Sequence, residues 1–132
     1  MIRRGVRAGL IAGLVSGVPS TLHALATGDD PLAATVAAGS ILLPRQTRRT
    51  RLIAAAVPVH FGLSAAWGVA LAAVLPPRHA IRYGVLAGAA IAALDLGVAG
   101  RRLPMIRALP VVPQVLDHLV YGAVAAALLA SD

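Results

Sequence analysis

Long apolar stretches, separated by short polar segments, dominate the hydropathy pattern of this chain. Four of them, over residues 8–27, 52–75, 83–100 and 111–130, each contain roughly 17–24 residues. An α-helix rises ~1.5 Å per residue, so about 20 residues cross the ~30 Å hydrocarbon core of a bilayer. In lipid, a single segment satisfies its backbone groups only as a helix. The pattern therefore predicts one domain over residues 1–132, an all-α integral membrane bundle with four long transmembrane helices.

A fifth apolar segment, residues 31–43, is shorter than the others. Asp30 and Pro31 are a typical helix start, since a carboxylate acceptor precedes a proline, and Pro44 ends the segment. A helix of about 13 residues reaches only ~20 Å, which is short for a crossing and favours an interfacial or re-entrant helix. Length alone therefore argues against a fifth crossing.

The distribution of charge favours the opposite interpretation of this segment. All but two of the twelve arginines fall in three clusters, which are Arg3, Arg4 and Arg7; Arg45, Arg48, Arg49 and Arg51; and Arg101, Arg102 and Arg107. If residues 31–43 cross the bilayer, all three clusters share one face. If they do not cross, the twelve arginines divide seven to five between the two faces, with the N-terminus outside. Because arginines accumulate on the cytoplasmic side, we expect a short crossing and a cytoplasmic N-terminus.

Composition supports a multi-pass protein of the cell membrane and bears on its partners. Hydrophobic residues make up 58% of the chain and charged residues 13%, about half of the ~25% found in soluble domains. The net charge of +7 comes from arginines that punctuate apolar segments, so we expect contacts with anionic lipid headgroups and no binding of nucleic acid. The absence of cysteine excludes disulfides and thiolate metal sites.

Glycines recur at every fourth position of the first segment, at Gly5, Gly9, Gly13 and Gly17. Small residues at this spacing form a glycine zipper, a face along which helix backbones approach closely in lipid. The face predicts packing within the chain, against Gly84, Gly88 and Ala92, or packing against another subunit of an oligomer. The first segment also resembles a secretory signal peptide, with a basic start and a small-residue site near Ala26, but the glycine face favours a retained helix.

Four ionisable residues lie inside the apolar segments, where a charge is costly: His60, Asp95, Asp117 and His118. Their distance from the neighbouring arginine clusters places all four within ~6–14 Å of the arginine-rich face, in one layer. We expect this layer only if the three clusters share that face. Ser64 lies on the same helical face as His60, and Tyr121 on that of Asp117. We expect either Asp117 or His118 to meet Asp95 or His60, and the other to point to the arginine-rich interface.

Three interpretations of this layer remain open. It is a structural polar clasp, a proton or ligand site, or, least favoured by the spacing, a bis-histidine haem or metal site. No catalytic constellation is present, and we expect no cofactor or metal. The sequence predicts a non-enzymatic structural or accessory bundle, with a small oligomeric proton- or ion-coupled transporter or channel as the alternative.

Several short motifs carry a family resemblance. They are Gly13-x-x-x-Gly17-x-Pro19-Ser20, Asp30-Pro31, His60-x-x-x-Ser64 and Asp117-His118-x-x-Tyr121-Gly122. With them the chain resembles small uncharacterised multi-pass membrane proteins of actinobacteria and, more distantly, YagU-like inner-membrane proteins. The resemblance implies four spans, with histidines in the second and last spans and a peripheral helix between the first two. It implies no activity.

Overall fold

The fold is a bundle of long antiparallel helices, described over residues 1–131 by a computed structural model. Four helices are long and apolar enough to span a membrane, and the described part of the chain contains no strand. The predicted all-α bundle of four spans plus a shorter helix is therefore confirmed. In chain order the helices are α1 (Ile2–Thr27), α2 (Ala33–Leu42), α3 (Arg49–Val74), α4 (Ala80–Arg102), α5 (Pro104–Arg107) and α6 (Val111–Ser131).

Two of the spans are irregular. The first, α1, is interrupted at Gly17, just before Pro19, whose ring nitrogen cannot donate a helical hydrogen bond. The third, α4, contains a π-helical turn over Asp95–Ala99. A π turn adds a residue to the helical repeat and is frequent at functional sites. Both irregularities lie in the second half of their helix.

The helix α2 does not cross the membrane. Asp30, just before α2, forms a bidentate ion pair with Arg49, the first residue of α3, so the segment between them starts and ends at one face. The Arg49 guanidinium lowers the pKa of Asp30 to about 2, so the pair stays ionised at physiological pH. Gly39 of α2 packs against the backbone of Leu52 in the first turn of α3. The expected short crossing is wrong, because a local ion pair holds the two ends of the segment together.

The arginine clusters consequently lie on two faces. We call the side of the bundle that holds the N-terminus the N-terminal face, and the side that holds α2 and α5 the distal face. Arg4 on α1 donates a hydrogen bond to the carbonyl of Leu129 near the end of α6, so the start of α1 and the end of α6 lie at the N-terminal face. The first cluster is at that face, whereas the second and third are at the distal face, next to α2 and α5. The expectation that all three clusters share a face is wrong.

Close backbone packing joins α1 to α3. A β-carbon added to Gly5 or Gly9 would collide with the α3 backbone at Gly68, and one on Gly68 would collide with Gly5 and Gly9. Gly13 lies farther along the same contact, against Ser64. The glycine face thus packs within the chain, but against α3 and not against Gly84, Gly88 and Ala92. The fourth glycine, Gly17, has no such neighbour within 4 Å and lies at the interruption of α1.

The second half of the chain repeats this arrangement. A β-carbon on Gly122 of α6 would collide with Gly84 and approach Gly88 of α4, as one on Gly68 does with Gly5 and Gly9. Likewise Gly88 meets the carbonyl of His118, as Gly9 meets that of Ser64. The sequences agree: IRRGVRAG from residue 2 and IRYGVLAG from residue 81 differ only at their third and sixth positions. The chain consists of two parallel repeats, each a span, a short helix at the distal face and a returning span.

The two repeats do not pack symmetrically. The first span of repeat one, α1, packs closely along the last span of repeat two, α6. The equivalent pair, α4 and α3, makes no comparable contact in residues 1–131. A gap therefore opens between α3 and α4, on one side of the bundle only.

The topology can be tested by labelling cysteines with a membrane-impermeant reagent, since the chain has no cysteine of its own. We expect Ile2→Cys and Arg78→Cys to be labelled from one side of the membrane and Thr47→Cys from the other. Arg78 and Thr47 flank α3 and serve as the internal control. Labelling of Ile2→Cys and Thr47→Cys from the same side would contradict the four-span topology.

The glycine contacts predict matched losses of stability. Gly68→Ala and Gly122→Ala each place a methyl group against backbone that cannot move aside, and overpacking of this kind costs about 1–3 kcal/mol. Gly62→Ala, on the same helix as Gly68 but with no neighbour within 4 Å, is the control. We expect both repeat variants to lower the Tm in detergent while the control melts like the wild type. Unchanged melting of Gly68→Ala and Gly122→Ala would show that these contacts do not hold the repeats together.

Candidate functional site

A cavity of about 600 Å³ lies between the two repeats, beside the interruptions of α1 and α4. Its walls come from every helix, and most of the lining residues are apolar. All four ionisable residues predicted from the sequence line it, together with Ser64 and Tyr121. A largely apolar cavity with a few converging polar groups is the usual form of a small-molecule site.

The four ionisable residues line one cavity although the arginine clusters do not share one face. The start of α3 and the end of α4 both lie at the distal face, because α3 and α4 are successive antiparallel spans. The two clusters beside these ends set the depth of His60, Asp95, Asp117 and His118. The first cluster, at the opposite face, plays no part in that estimate. The sequence predicts one layer only if the three clusters share a face, and that condition is not met; the four residues nevertheless line the same cavity.

Asp95 and His118 form the central pair of the site. Asp95 begins the π turn of α4, and its Oδ2 lies 3.1 Å from Nε2 of His118 on α6. The other ring nitrogen, Nδ1, lies 2.7 Å from the carbonyl oxygen of Gln114. Because a carbonyl only accepts, Nδ1 carries a hydrogen, and Nε2 and Oδ2 lie close enough to share a second proton when one is bound. With that proton the pair is neutral, and without it the pair carries one negative charge.

Asp117 points away from this pair, into the interruption of α1. Its Oδ1 accepts a hydrogen bond of 2.9 Å from the backbone N–H of Ser20, in the first turn after Gly17. The carboxylate therefore caps the second half of α1 from another helix, where the helix dipole stabilises a negative charge. The sequence predicts that one of Asp117 and His118 meets Asp95 or His60, and in the structure His118 meets Asp95 while Asp117 bonds the Ser20 amide.

His60 bonds the α1 backbone on the other side of the same interruption at Gly17. Its Nε2 donates to the carbonyl of Gly13 over 2.8 Å, and the hydroxyl of Ser16 donates to that carbonyl as well, over 3.3 Å. The hydroxyl of Ser20 reaches the carbonyl of Gly17 in the same way. Side chains of three helices thus form hydrogen bonds with the backbone groups at the interruption of α1. Backbone groups at an irregular point within a membrane need such partners.

Acceptor capacity remains in the cavity after these bonds are counted. Within residues 1–131, the second carboxylate oxygen of Asp95 accepts no hydrogen bond, whereas Asp117 is bonded by both the backbone and the side chain of Ser20. The Asp95 side chain is 37% exposed and that of His118 is 20% exposed. The unused oxygen of Asp95 therefore faces a space large enough for a small molecule.

Aromatic residues also gather here: Trp67 and Tyr121 lie on the helical faces that the sequence predicts for the site, whereas Phe61 is not predicted. The chain has one Trp, two Tyr and one Phe, and three of these four line the cavity: Phe61, Trp67 and Tyr121. Tyr121 donates a 2.5 Å hydrogen bond to the carbonyl of Ser64, linking the repeats. Trp67 holds the repeat position equivalent to Tyr121, and among the described residues its buried indole N–H finds no acceptor. The repeat in the sequence is the signal that pairs these two positions.

A second cavity, of about 510 Å³, lies beside the first on the distal side. Ser20 and Gln114 line both cavities, while His23, Asp29, Asp30 and Arg49 line only the second. Asp30 is engaged there with Arg49 and with the N–H of Leu32, so it organises the start of the α2 segment. Among the described residues no three His, Asp or Glu side chains are grouped so that they could hold a metal ion.

No family model matches the chain, and no curated protein and no solved structure is significantly similar to it. What the fold defines is a multi-pass helical membrane protein built from two parallel repeats. The resemblance to YagU-like proteins stays a prediction. The functional argument therefore has to come from the site itself.

The bond between Asp117 and Ser20 predicts a difference between two substitutions. Asp117→Asn keeps an oxygen acceptor for the Ser20 amide, whereas Asp117→Leu removes it and leaves a helix start unsatisfied, which costs about 1 kcal/mol. We expect Asp117→Leu to lower the Tm in detergent and to accelerate hydrogen exchange at the Ser20 amide, with Asp117→Asn close to wild type. Equal exchange at Ser20 in both variants would contradict the trans-helix cap.

Proposed function

We propose that this protein is a small carrier that binds a cation in the cavity between its repeats and exchanges it for a proton. The observation that carries the proposal is the cavity itself, where Asp95 presents an unused carboxylate oxygen and Asp117 also lines the wall. A bundle whose polar residues served only to fix helix register would have no need of such a space. The proposal corresponds to the transporter alternative of the sequence analysis.

The sign of the charge in the cavity selects the ligand. The Asp95–His118 pair is neutral or singly negative, depending on its shared proton, and Asp117 adds another negative charge. His60 contributes a ring nitrogen, Nδ1, that is not used in its bond to Gly13. No arginine lines the cavity among the described residues. The site therefore attracts cations.

The shared proton supplies the coupling. A cation that approaches the free oxygen of Asp95 stabilises the negative form of the Asp95–His118 pair and so releases the proton. When the proton returns, the pair becomes neutral and the cation leaves. The cation and the proton thus replace each other at the site. Histidine and carboxylate side chains within membranes commonly carry protons in this way.

The architecture supports transport. Carriers are often built from two repeats, with the substrate between them and with interrupted helices around the site. Here α1 is interrupted at Gly17 and α4 at Asp95–Ala99, and both interruptions border the cavity. The second cavity adjoins the first and shares Ser20 and Gln114 with it.

A structural role is the second candidate, because each ionisable residue of the site has a partner within the protein. His118 bonds Asp95, Asp117 bonds the Ser20 amide, and His60 bonds the Gly13 carbonyl. In this view the layer is a polar clasp that fixes the helices in register. It predicts a loss of stability on mutation and no response to cations.

We place the protein in the bacterial cytoplasmic membrane, with the distal face in the cytoplasm. The positive-inside rule favours this orientation, because seven arginines lie at the distal face and five at the N-terminal face. Both chain ends would then lie outside the cell. The labelling of Ile2→Cys and Thr47→Cys in intact cells tests the orientation directly.

Trp67 reports on binding, because it is the only tryptophan and it lines the cavity. We expect its fluorescence in nanodiscs to change saturably with at least one member of a cation panel: Na⁺, K⁺, guanidinium, butylammonium and butyltrimethylammonium. Asp95→Asn should abolish the change, because it removes the charge that meets the cation. Asp29→Asn, an exposed aspartate that does not line this cavity, is the control and should bind like the wild type.

Transport is measured in proteoliposomes that contain a pH-sensitive dye. A gradient of the bound cation should drive protons in the opposite direction through the wild type and through Asp29→Asn, but not through Asp95→Asn. If no cation changes the Trp67 signal, or if Asp95→Asn carries the same flux as the wild type, the proposal is wrong and the clasp is favoured.

A further inference from the structure

Two buried polar side chains lack a hydrogen-bond partner. Among the described residues, four buried positions carry polar side chains and are at most 9% exposed: Ser16, Ser40, Ser64 and Gln114. The hydroxyls of Ser16 and Ser40 each donate to a carbonyl of their own helix. Ser64 and Gln114 engage only their backbone groups, so the hydroxyl of one and the carboxamide of the other form no hydrogen bond within residues 1–131. Buried polar groups are nearly always bonded, so two exceptions in one place call for a ligand.

Both of these side chains line the first cavity. The Trp67 N–H is the one side-chain group of the described residues that is fully enclosed and lacks a partner. The hydroxyl of Ser64 and the carboxamide of Gln114 are therefore not sealed into the protein, and the cavity is the space they line. Asp95 adds the unused oxygen of its carboxylate to the same walls.

The three groups come from three helices that meet around His118. Its ring lies 3.1 Å from Asp95 of α4 and 2.7 Å from the carbonyl oxygen of Gln114, one turn earlier on α6. One turn later on α6, Tyr121 donates to the carbonyl of Ser64 on α3. Residues of α3, α4 and α6 with unused polar groups thus surround one turn of α6 on either side of His118.

The chemistry of these groups suits a cation that carries N–H donors. Ser64, Gln114 and Asp95 each offer an oxygen that accepts a hydrogen bond, and Asp95 offers only one because His118 lies against the other. A primary ammonium group has three N–H donors that point in different directions, which matches three single acceptors. A guanidinium group is planar and pairs best with both oxygens of one carboxylate, which Asp95 does not leave free.

The size of the cavity favours an organic cation over a metal ion. Its volume of about 600 Å³ lies within the usual range of small-molecule sites, ~300–1,000 Å³. Hard metal ions instead need a close cage of about six or more oxygen ligands. Within residues 1–131 no three His, Asp or Glu side chains are grouped in such a way.

We infer that the ligand is an organic primary ammonium ion, whose three N–H groups donate to the free oxygen of Asp95, the hydroxyl of Ser64 and the carboxamide oxygen of Gln114. The inference rests on the proposed cation site and adds the chemical class of the ligand. Asp95 supplies the charge that attracts any cation, whereas Ser64 and Gln114 select one that carries hydrogen-bond donors.

The test replaces the N–H groups of one ligand in steps. Butylammonium is compared with its N-methyl, N,N-dimethyl and N,N,N-trimethyl forms at pH 7, where such amines are charged as lysine is. Binding is followed by Trp67 fluorescence in nanodiscs of neutral lipid. Each methyl group adds apolar surface, which by itself favours binding. We nevertheless expect the affinity to fall along the series, by about tenfold for each N–H bond that is lost.

Variants of the two uncharged side chains assign the selectivity to them. Gln114→Met and Ser64→Ala each remove one acceptor, so each should weaken the binding of butylammonium by about tenfold and leave that of butyltrimethylammonium unchanged. The same replacements outside the cavity, Gln46→Met and Ser131→Ala, are the matched controls and should bind both cations like the wild type. The methylation series on the wild type decides the question if a variant fails to fold.

Three results would overturn this inference and leave the cation site standing. They are equal or tighter binding of butyltrimethylammonium, tighter binding of Na⁺ or K⁺ than of butylammonium, and an equal loss of affinity for both butyl compounds in Gln114→Met and Ser64→Ala. Absence of any cation binding would overturn both this inference and the proposed function.

Discussion

Contact between bare backbones at glycine sets the geometry of this bundle. In lipid the hydrophobic effect does not drive helices together. They are held by close packing and by the hydrogen bonds that close packing makes possible. Gly5 and Gly9 admit the backbone of α3 at Gly68, and Gly84 and Gly88 admit that of α6 at Gly122. Each repeat is thereby a stiff antiparallel pair. The polar residues of the cavity lie where the two pairs meet.

The polar residues follow from the irregular helices. A break at Gly17 leaves backbone groups that cannot find water at this depth, and His60 and Asp117 reach them from α3 and α6. In the second repeat, the π turn places Asp95 opposite His118. Ser16 and Ser64 hold the equivalent positions of the first repeat, as the glycine contacts align them. One repeat therefore keeps hydroxyls where the other has an ion-pairing couple, and the site gains its charge from this difference.

The sequence predicts the helices well because hydropathy acts locally, residue by residue. It also predicts a polar layer, since the arginines beside α3 and α4 measure depth from one face. It fails where the outcome depends on a particular partner. A count of arginines does not include the effect of one ion pair. The pair of Asp30 with Arg49 holds the two ends of the α2 segment at the same face. Glycine spacing likewise shows that Gly5 and Gly9 will pack closely but not on which helix, because α3, α4 and α6 all offer small residues. The repeat in IRRGVRAG and IRYGVLAG would have paired the helices correctly, by matching each span to its counterpart.

The central claim is that a cation and the proton shared by Asp95 and His118 exclude each other. Calorimetric titration of butylammonium in two buffers of different ionisation enthalpy measures the protons released on binding. The account predicts release of a proton for each cation bound to the wild type, and a smaller release in His118→Gln, which cannot hold the shared proton. Cation binding with an enthalpy that is independent of the buffer would show that no proton leaves the site, and would contradict the exchange mechanism.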